Sequence, residues 1–114
     1  MILKDKVAIV TGAAGGIGSA IVSGFKKEGA VVYGIDIAYE DDFGAGRLKV
    51  DVADTAAVKK AVSDIAEKEG RIDIIVNCAG YSVTAPLKES LTSDWDRTFA
   101  VNVRGPVIDR KSVV

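Results

Sequence analysis

Short, uniformly apolar runs alternate along this chain with stretches whose apolar positions recur every four residues. Val7 to Val10 is wholly apolar and ends at Thr11-Gly12. A strand with no polar alternation suits a sheet covered on both faces, as parallel sheets are. Ile17, Ile21 and Phe25 then follow at spacing four, the stripe of one helix face, and Gly29 stands where a helix-terminating glycine would. Val31 to Ile35 predicts a second strand, ending at Asp36, and residues 38–46 are polar and glycine-bearing, a loop. Leu48 to Val52 predicts a third strand. Asp54 is placed to cap a helix with the stripe Val58, Val62 and Ile65, which Gly70 ends. Ile72 to Val76 predicts a fourth strand, closed by Asn77-Cys78-Ala79-Gly80. After a loop with Pro86, Thr92 or Ser93 would cap a last helix carrying Trp95 and Phe99. The order β-α-β-loop-β-α-β-α implies an α/β fold, a parallel sheet with right-handed crossovers and helices flanking it.

Composition changes this picture little. The 114 residues suffice for one domain, and 48% hydrophobic with 27% charged residues excludes a disordered chain. A net charge of −1 with no histidine argues against nucleic acid or an anionic membrane as partner. No run reaches the about 18 apolar residues of a membrane span, and MILKDKVAIV lacks a signal-peptide pattern. Cys78 is the only cysteine, so an internal disulfide is impossible and a cytoplasmic setting is expected. One Cys and no His make a zinc or transition-metal site unexpected.

The candidate chemistry lies in Thr11-Gly12-Ala13-Ala14-Gly15-Gly16-Ile17-Gly18, which follows a strand and opens a helix. In that context each glycine has a purpose. Gly12 turns the chain sharply off the strand, Gly16 lets backbone approach a pyrophosphate, and Gly18 lets the helix pack closely. The helix N-terminus offers N–H groups and a positive dipole end to phosphates. A turn that binds nothing has the same glycines, so the motif alone decides nothing. Asp36 weighs against that blander reading. It ends the second strand 18 residues beyond Gly18, near the spacing of about 20 for an acid that binds ribose hydroxyls. A carboxylate there accepts bonds from a 2′-hydroxyl and repels a 2′-phosphate, which favours NAD over NADP. Neither Gly15 nor Ile37 supplies a cation to offset it.

Taken together these residues resemble the short-chain dehydrogenase/reductase family. Thr11-Gly12-x-x-x-Gly16-Ile17-Gly18 resembles its cofactor motif, and Asp51-Val52 its adenine-contacting pair. Asn77-Cys78-Ala79-Gly80 resembles its Asn-Asn-Ala-Gly signature, with Cys78 in place of the second Asn. Val101-Asn102-Val103-x-Gly105 resembles the helix that carries its active-site Asn. The likeness runs from about Lys6 to Gly105. Residues 106–114 depart from it, since Asp109-Arg110-Lys111 interrupts the apolar helix the family pattern continues with. The resemblance implies a Rossmann-type parallel sheet with flanking helices, here truncated after about the fourth strand and following helix. It implies cofactor contacts from Thr11, Gly12, Gly16, Ile17 and Gly18, from Asp36 and Ile37, from Asp51 and Val52, and from Asn77, Ala79 and Gly80. Asn102 is the one active-site residue it implies.

The family's chemistry uses a Ser and a Tyr-x-x-x-Lys pair. Here Tyr33, Tyr39 and Tyr81 are followed at the fourth position by Ile37, Phe43 and Ala85, and the expected segment would lie beyond Val114. The expectation is therefore the N-terminal, dinucleotide-binding part of an NAD-dependent oxidoreductase acting on a small alcohol or carbonyl substrate, inactive as this chain alone. Two other readings stand beside it: a non-catalytic NAD-binding or interaction module, and a non-functional remnant. An apolar fourth strand lacking its next neighbour also predicts a homo-oligomeric or aggregation-prone product.

Overall fold

The structure is a computed structural model and describes residues 1–79; Gly80, the last expected helix with Trp95 and Phe99, and Asn102 lie outside the described residues. Four parallel strands form one sheet in the order β3-β2-β1-β4. They are β1 (Val7–Thr11), β2 (Val31–Ile35), β3 (Arg47–Leu48) and β4 (Ile74–Asn77), joined through helices α1 (Gly16–Lys27) and α2 (Thr55–Glu69). β1 lies between β2 and β4, with Val7 opposite Val31 and Ala8 opposite Ile74.

The uniformly apolar β1 is explained by cover on both faces. Its side chains alternate, Ala8 and Val10 toward α1, Val7 and Ile9 toward α2. The α1 face is completed by Ala13 and Val32, with Ile21, Val22 and Phe25 packed over them. The α2 face joins Ile35, Val58, Val62 and Ile65. Ile9 and Ile65 are fully buried, and each such side chain contributes about 1.5–3 kcal/mol relative to exposure.

Both helix stops fall on glycines in the left-handed region, Gly29 at φ +91° and Gly70 at φ +76°. Asp54 caps α2 as expected, its carboxylate accepting the Ala57 N–H at 3.1 Å. The C-terminal end of α2 is tied to β2 through Tyr33, whose hydroxyl donates to Glu69 Oε1 at 2.8 Å. Burial first, and the Glu69 carboxylate second, push the Tyr33 pKa up to about 12.

Three expectations are corrected. The third strand spans Arg47–Leu48 and not residues 48–52, because its one neighbour among the described residues, β2, turns away at Asp36 once Ile35 has paired with Leu48. Val50 and Val52 nevertheless stay buried in the core. The fourth strand begins at Ile74 and not at Ile72. There the Asp73 N–H donates to the Val7 carbonyl at 2.9 Å, but its carboxylate, in place of a main-chain carbonyl, accepts the Val7 N–H at 2.9 Å. Ile17 does not join the helix stripe. It is 76% exposed, and the packed stripe starts at Ile21.

Asp73 also receives the Arg71 guanidinium. That partner first, and the Val7 N–H next, hold its carboxyl below the usual carboxylate range. A lowered native pKa stabilises the fold above the unfolded value of about 3.9, and that stabilisation is lost as pH falls through the native value. Thermal melts of wild type and Asp73→Asn should therefore differ at pH 7, wild type melting higher, and converge as pH falls below about 4.

Candidate functional site

The carboxyl ends of the parallel strands lie at one end of the sheet, where the topology of such a sheet defines a crevice. From β1 the chain crosses to β2 on one side, and the connection from β3 crosses to β4 on the other. Such a reversal beside the carboxyl ends of strands is where open α/β sheets bind ligands. Three segments meet there: the glycine turn after β1, Asp36 at the end of β2, and Asn77–Ala79 at the end of β4.

Gly12 is the pivot. It adopts φ +63°, and a Cβ on it would stand 2.7 Å from both Cys78 C and Ala79 N. Only a residue without a side chain fits between β1 and that peptide. Thr11 is 2% exposed, and its hydroxyl accepts the N–H groups of Cys78 at 3.2 Å and Ala79 at 3.3 Å while facing the Val76 carbonyl at 3.5 Å. One donor and two acceptor sites are all a hydroxyl has. The Thr11 side chain is thus fully engaged in joining the end of β1 to the end of β4.

The turn continues with Ala13 N–H to the Ile35 carbonyl at 3.3 Å and Gly15 N–H to the Gly12 carbonyl at 3.2 Å. Helix α1 then begins with Gly15 as its N-cap, with no side-chain capping bond and no acidic residue in the first turn. By contrast α2 has the Asp54 cap. The start of α1 therefore presents backbone N–H groups and the positive end of the helix dipole without a side chain over them. A Cβ on Gly16 would meet nothing within 4 Å, so its bare backbone faces open space. Gly18 is different. It is buried, and a Cβ there would overlap the Gly12 carbonyl, so it lets the helix sit closely against the turn that ends β1.

Asp36 faces this turn from β2. Its Oδ2 accepts the Ala14 N–H at 3.0 Å and its Oδ1 accepts the Ala38 N–H at 2.8 Å. An ionised carboxylate offers about four acceptor positions. Two are taken by backbone, and about two remain for a ligand. Ile37 beside it is 54% exposed.

The remaining expected residues are spread more widely. Val52 is 7% exposed, its side chain packed in the α2-face core. Asp51 braces the turn before α2, Oδ1 accepting the Ala53 N–H at 2.9 Å. Asn77 is exposed at the end of β4, level with Thr11. Ala79 is held by Thr11 and packs on the core. Gly80 and Asn102 lie outside the described residues. The sequence reading missed Ala14, whose N–H reaches Asp36, and Tyr39, which packs behind the turn. Gly34 in mid-strand was the available signal, since a strand glycine marks close approach.

The family model for short chain dehydrogenases matches residues 6–114. The chain belongs to the short-chain dehydrogenase family. Among its relatives, D-threitol dehydrogenase of Mycolicibacterium smegmatis is 44% identical, over 90% of this chain and 44% of the relative. A short-chain dehydrogenase/reductase from Serratia marcescens superposes with a TM-score of 0.88 at 36% identity, covering 99% of this chain and 53% of that one. A short-chain dehydrogenase from Burkholderia cenocepacia, solved with NADP, superposes with a TM-score of 0.87 at 31% identity, covering 99% and 51%. The chain thus spans about half the length of these family members. Among the described residues no helix is long and apolar enough to cross a membrane, and no cluster could hold a metal ion.

Gly16 and Gly18 should separate experimentally. Gly18→Ala is expected to lower stability in urea denaturation by about 1–3 kcal/mol, the usual effect of overpacking. Gly16→Ala should stay within about 0.5 kcal/mol of wild type, as surface substitutions do.

Proposed function

We propose that this chain carries the nucleotide site of an NAD-dependent oxidoreductase that exchanges a hydride with an alcohol or carbonyl substrate. The observation that carries the reading is the Asp36 carboxylate joined to an uncapped helix-opening turn. Phosphates suit the N-terminal N–H groups of α1, where Gly16 leaves room for backbone to approach them. The two acceptor positions left on Asp36 match a ribose 2′,3′-diol. Gly12 and Gly18 act indirectly, by shaping the turn, and Thr11 by holding Ala79 against it. Ile17 and Ile37, both exposed beside the turn, supply apolar cover for the nucleotide. Asp51 and Val52 take the adenine, with Val52 contributing backbone since its side chain is buried. Asn77 and Ala79 border the nicotinamide side; Gly80 and Asn102, outside the described residues, are assigned to the site by the family motifs alone.

The nucleotide, when bound, supplies the hydride acceptor or donor; the protein's part is to bind and orient it. NAD is preferred to NADP because a 2′-phosphate would meet the Asp36 charge. The substrate is a small alcohol or the matching carbonyl compound, the class that D-threitol dehydrogenase denotes among the relatives. None of the three tyrosines heads a Tyr-x-x-x-Lys pair, so the 114-residue chain is expected to bind nucleotide without turning substrate over.

Calorimetric titration of the chain tests this. Asp36→Ala should raise the Kd for NAD about 10- to 100-fold, the effect of losing one or two hydrogen bonds to a charged group. Asp36→Arg should reverse the order of NAD and NADP affinity. Equal NAD affinity in wild type and Asp36→Ala would sink the reading.

A further inference from the structure

The loop between β2 and β3 places an aromatic ring on each face of the sheet. On the α2 face Phe43 packs on Tyr33, ring centroids 5.4 Å apart. On the α1 face Tyr39 lies over Gly34, the next residue of β2. A Cβ on Gly34 would stand 3.0 Å from both Cε2 and Oη of Tyr39 and 2.8 Å from Cβ of Ala13. Gly34 is bare because the ring and the glycine turn share the space above it. Tyr39 packs against the Ala8, Val10, Ala13 and Val32 cluster, and its N–H donates to the Asp36 carbonyl at 3.3 Å, closing the turn 36–39. The ring is close enough to the carboxylate that Asp36 raises its pKa, second to burial, with Arg47 opposing.

We propose that Tyr39 is a positioning residue that sets the nucleotide selectivity of Asp36. Its ring packs over Gly34 beside Ala13 of the glycine turn and keeps residues 36–39 from swinging. The proposal rests on the reading of the crevice as an NAD site. The physical reason is that charge repulsion discriminates only if the charge cannot move. A carboxylate free to change rotamer turns away from a 2′-phosphate and loses its selectivity. Both backbone bonds to Asp36, from Ala14 and Ala38, depend on this turn staying in place. The ring provides that restraint from the α1 face of the sheet. Phe43 anchors the same loop from the other face, away from the glycine turn, and serves as the control.

The test is calorimetric titration of the 114-residue chain with NAD and with NADP, alongside thermal melts. Tyr39→Ala should raise the Kd for NAD about tenfold and leave that for NADP unchanged or lower, so the NADP-to-NAD Kd ratio falls at least about tenfold. Tyr39→Phe should stay within about twofold of wild type in both, since the ring and not the hydroxyl provides the restraint. Phe43→Ala should lower the melting temperature and leave the ratio unchanged. If Tyr39→Ala does not melt cooperatively, Tyr39→Leu replaces it, with the ratio falling at least about threefold. Wild type that binds no NAD overturns the reading of the site and the proposal with it. Wild type that prefers NAD, with both Kd values moved equally by Tyr39→Ala or the ratio moved as far by Phe43→Ala, overturns the proposal and leaves the NAD reading standing.

Discussion

Everything around the crevice depends on one close approach, the Cys78–Ala79 peptide against the Cα of Gly12. A Cβ at that position would stand 2.7 Å from the peptide, so a side chain there would force β4 away from β1. With glycine, the peptide comes in far enough for the Thr11 hydroxyl to accept both N–H groups. Two such bonds contribute about 0.5–1.5 kcal/mol each, and a buried N–H left unpaired costs about 1–3 kcal/mol, so the arrangement is favoured from both directions. The positive φ of Gly12 then directs the chain into a turn whose carbonyl is the surface Gly18 packs against. One residue thereby sets the junction of β1 with β4 and the angle at which α1 leaves the sheet.

That angle explains the electrostatics of the site. Among the described residues, what suits the opening of α1 to anions is its backbone, since the helix start is uncapped and has no acid in its first turn. The two lysines of α1 in its last turn, Lys26 and Lys27, complement the opposite end of its dipole. Asp36 is the nearby negative charge, and its two backbone bonds hold it at the turn. A site built this way separates its two tasks. Dipole and N–H groups suit phosphates, and in the proposed reading the carboxylate is what sorts ligands by the group they present beside it.

The edge of the sheet shows what limits such a reading. β3 is only two residues long, and the loop before it places Tyr39 and Phe43 on opposite faces of β2. Periodicity marked residues 38–46 as loop and had no means of assigning those rings to faces. The same holds for Val50 and Val52, which looked like strand residues since they are apolar and alternate, and which are buried without being paired. Burial, which patterning detects, and hydrogen-bonded pairing, which it does not, diverge at an edge where the neighbouring strand stops.

By itself the sequence determined the layers of the fold and the chemistry of its turn. Uniformly apolar β1 required cover on both faces, the stripe of α2 with its Asp54 cap and Gly70 stop required a helix, and Gly12, Gly16, Gly18 and Asp36 pointed to the candidate site. These are local properties, set by side-chain period, by capping and by the conformations glycine alone adopts freely. Tertiary structure decided the rest. It turned Ile17 outward, ended β3 at Leu48, engaged the Thr11 hydroxyl with β4, and brought Ala14, Asp36 and Tyr39 around one turn. Those outcomes depend on which distant segments meet, and no spacing along the chain encodes the distance between strands that are neighbours only in the sheet.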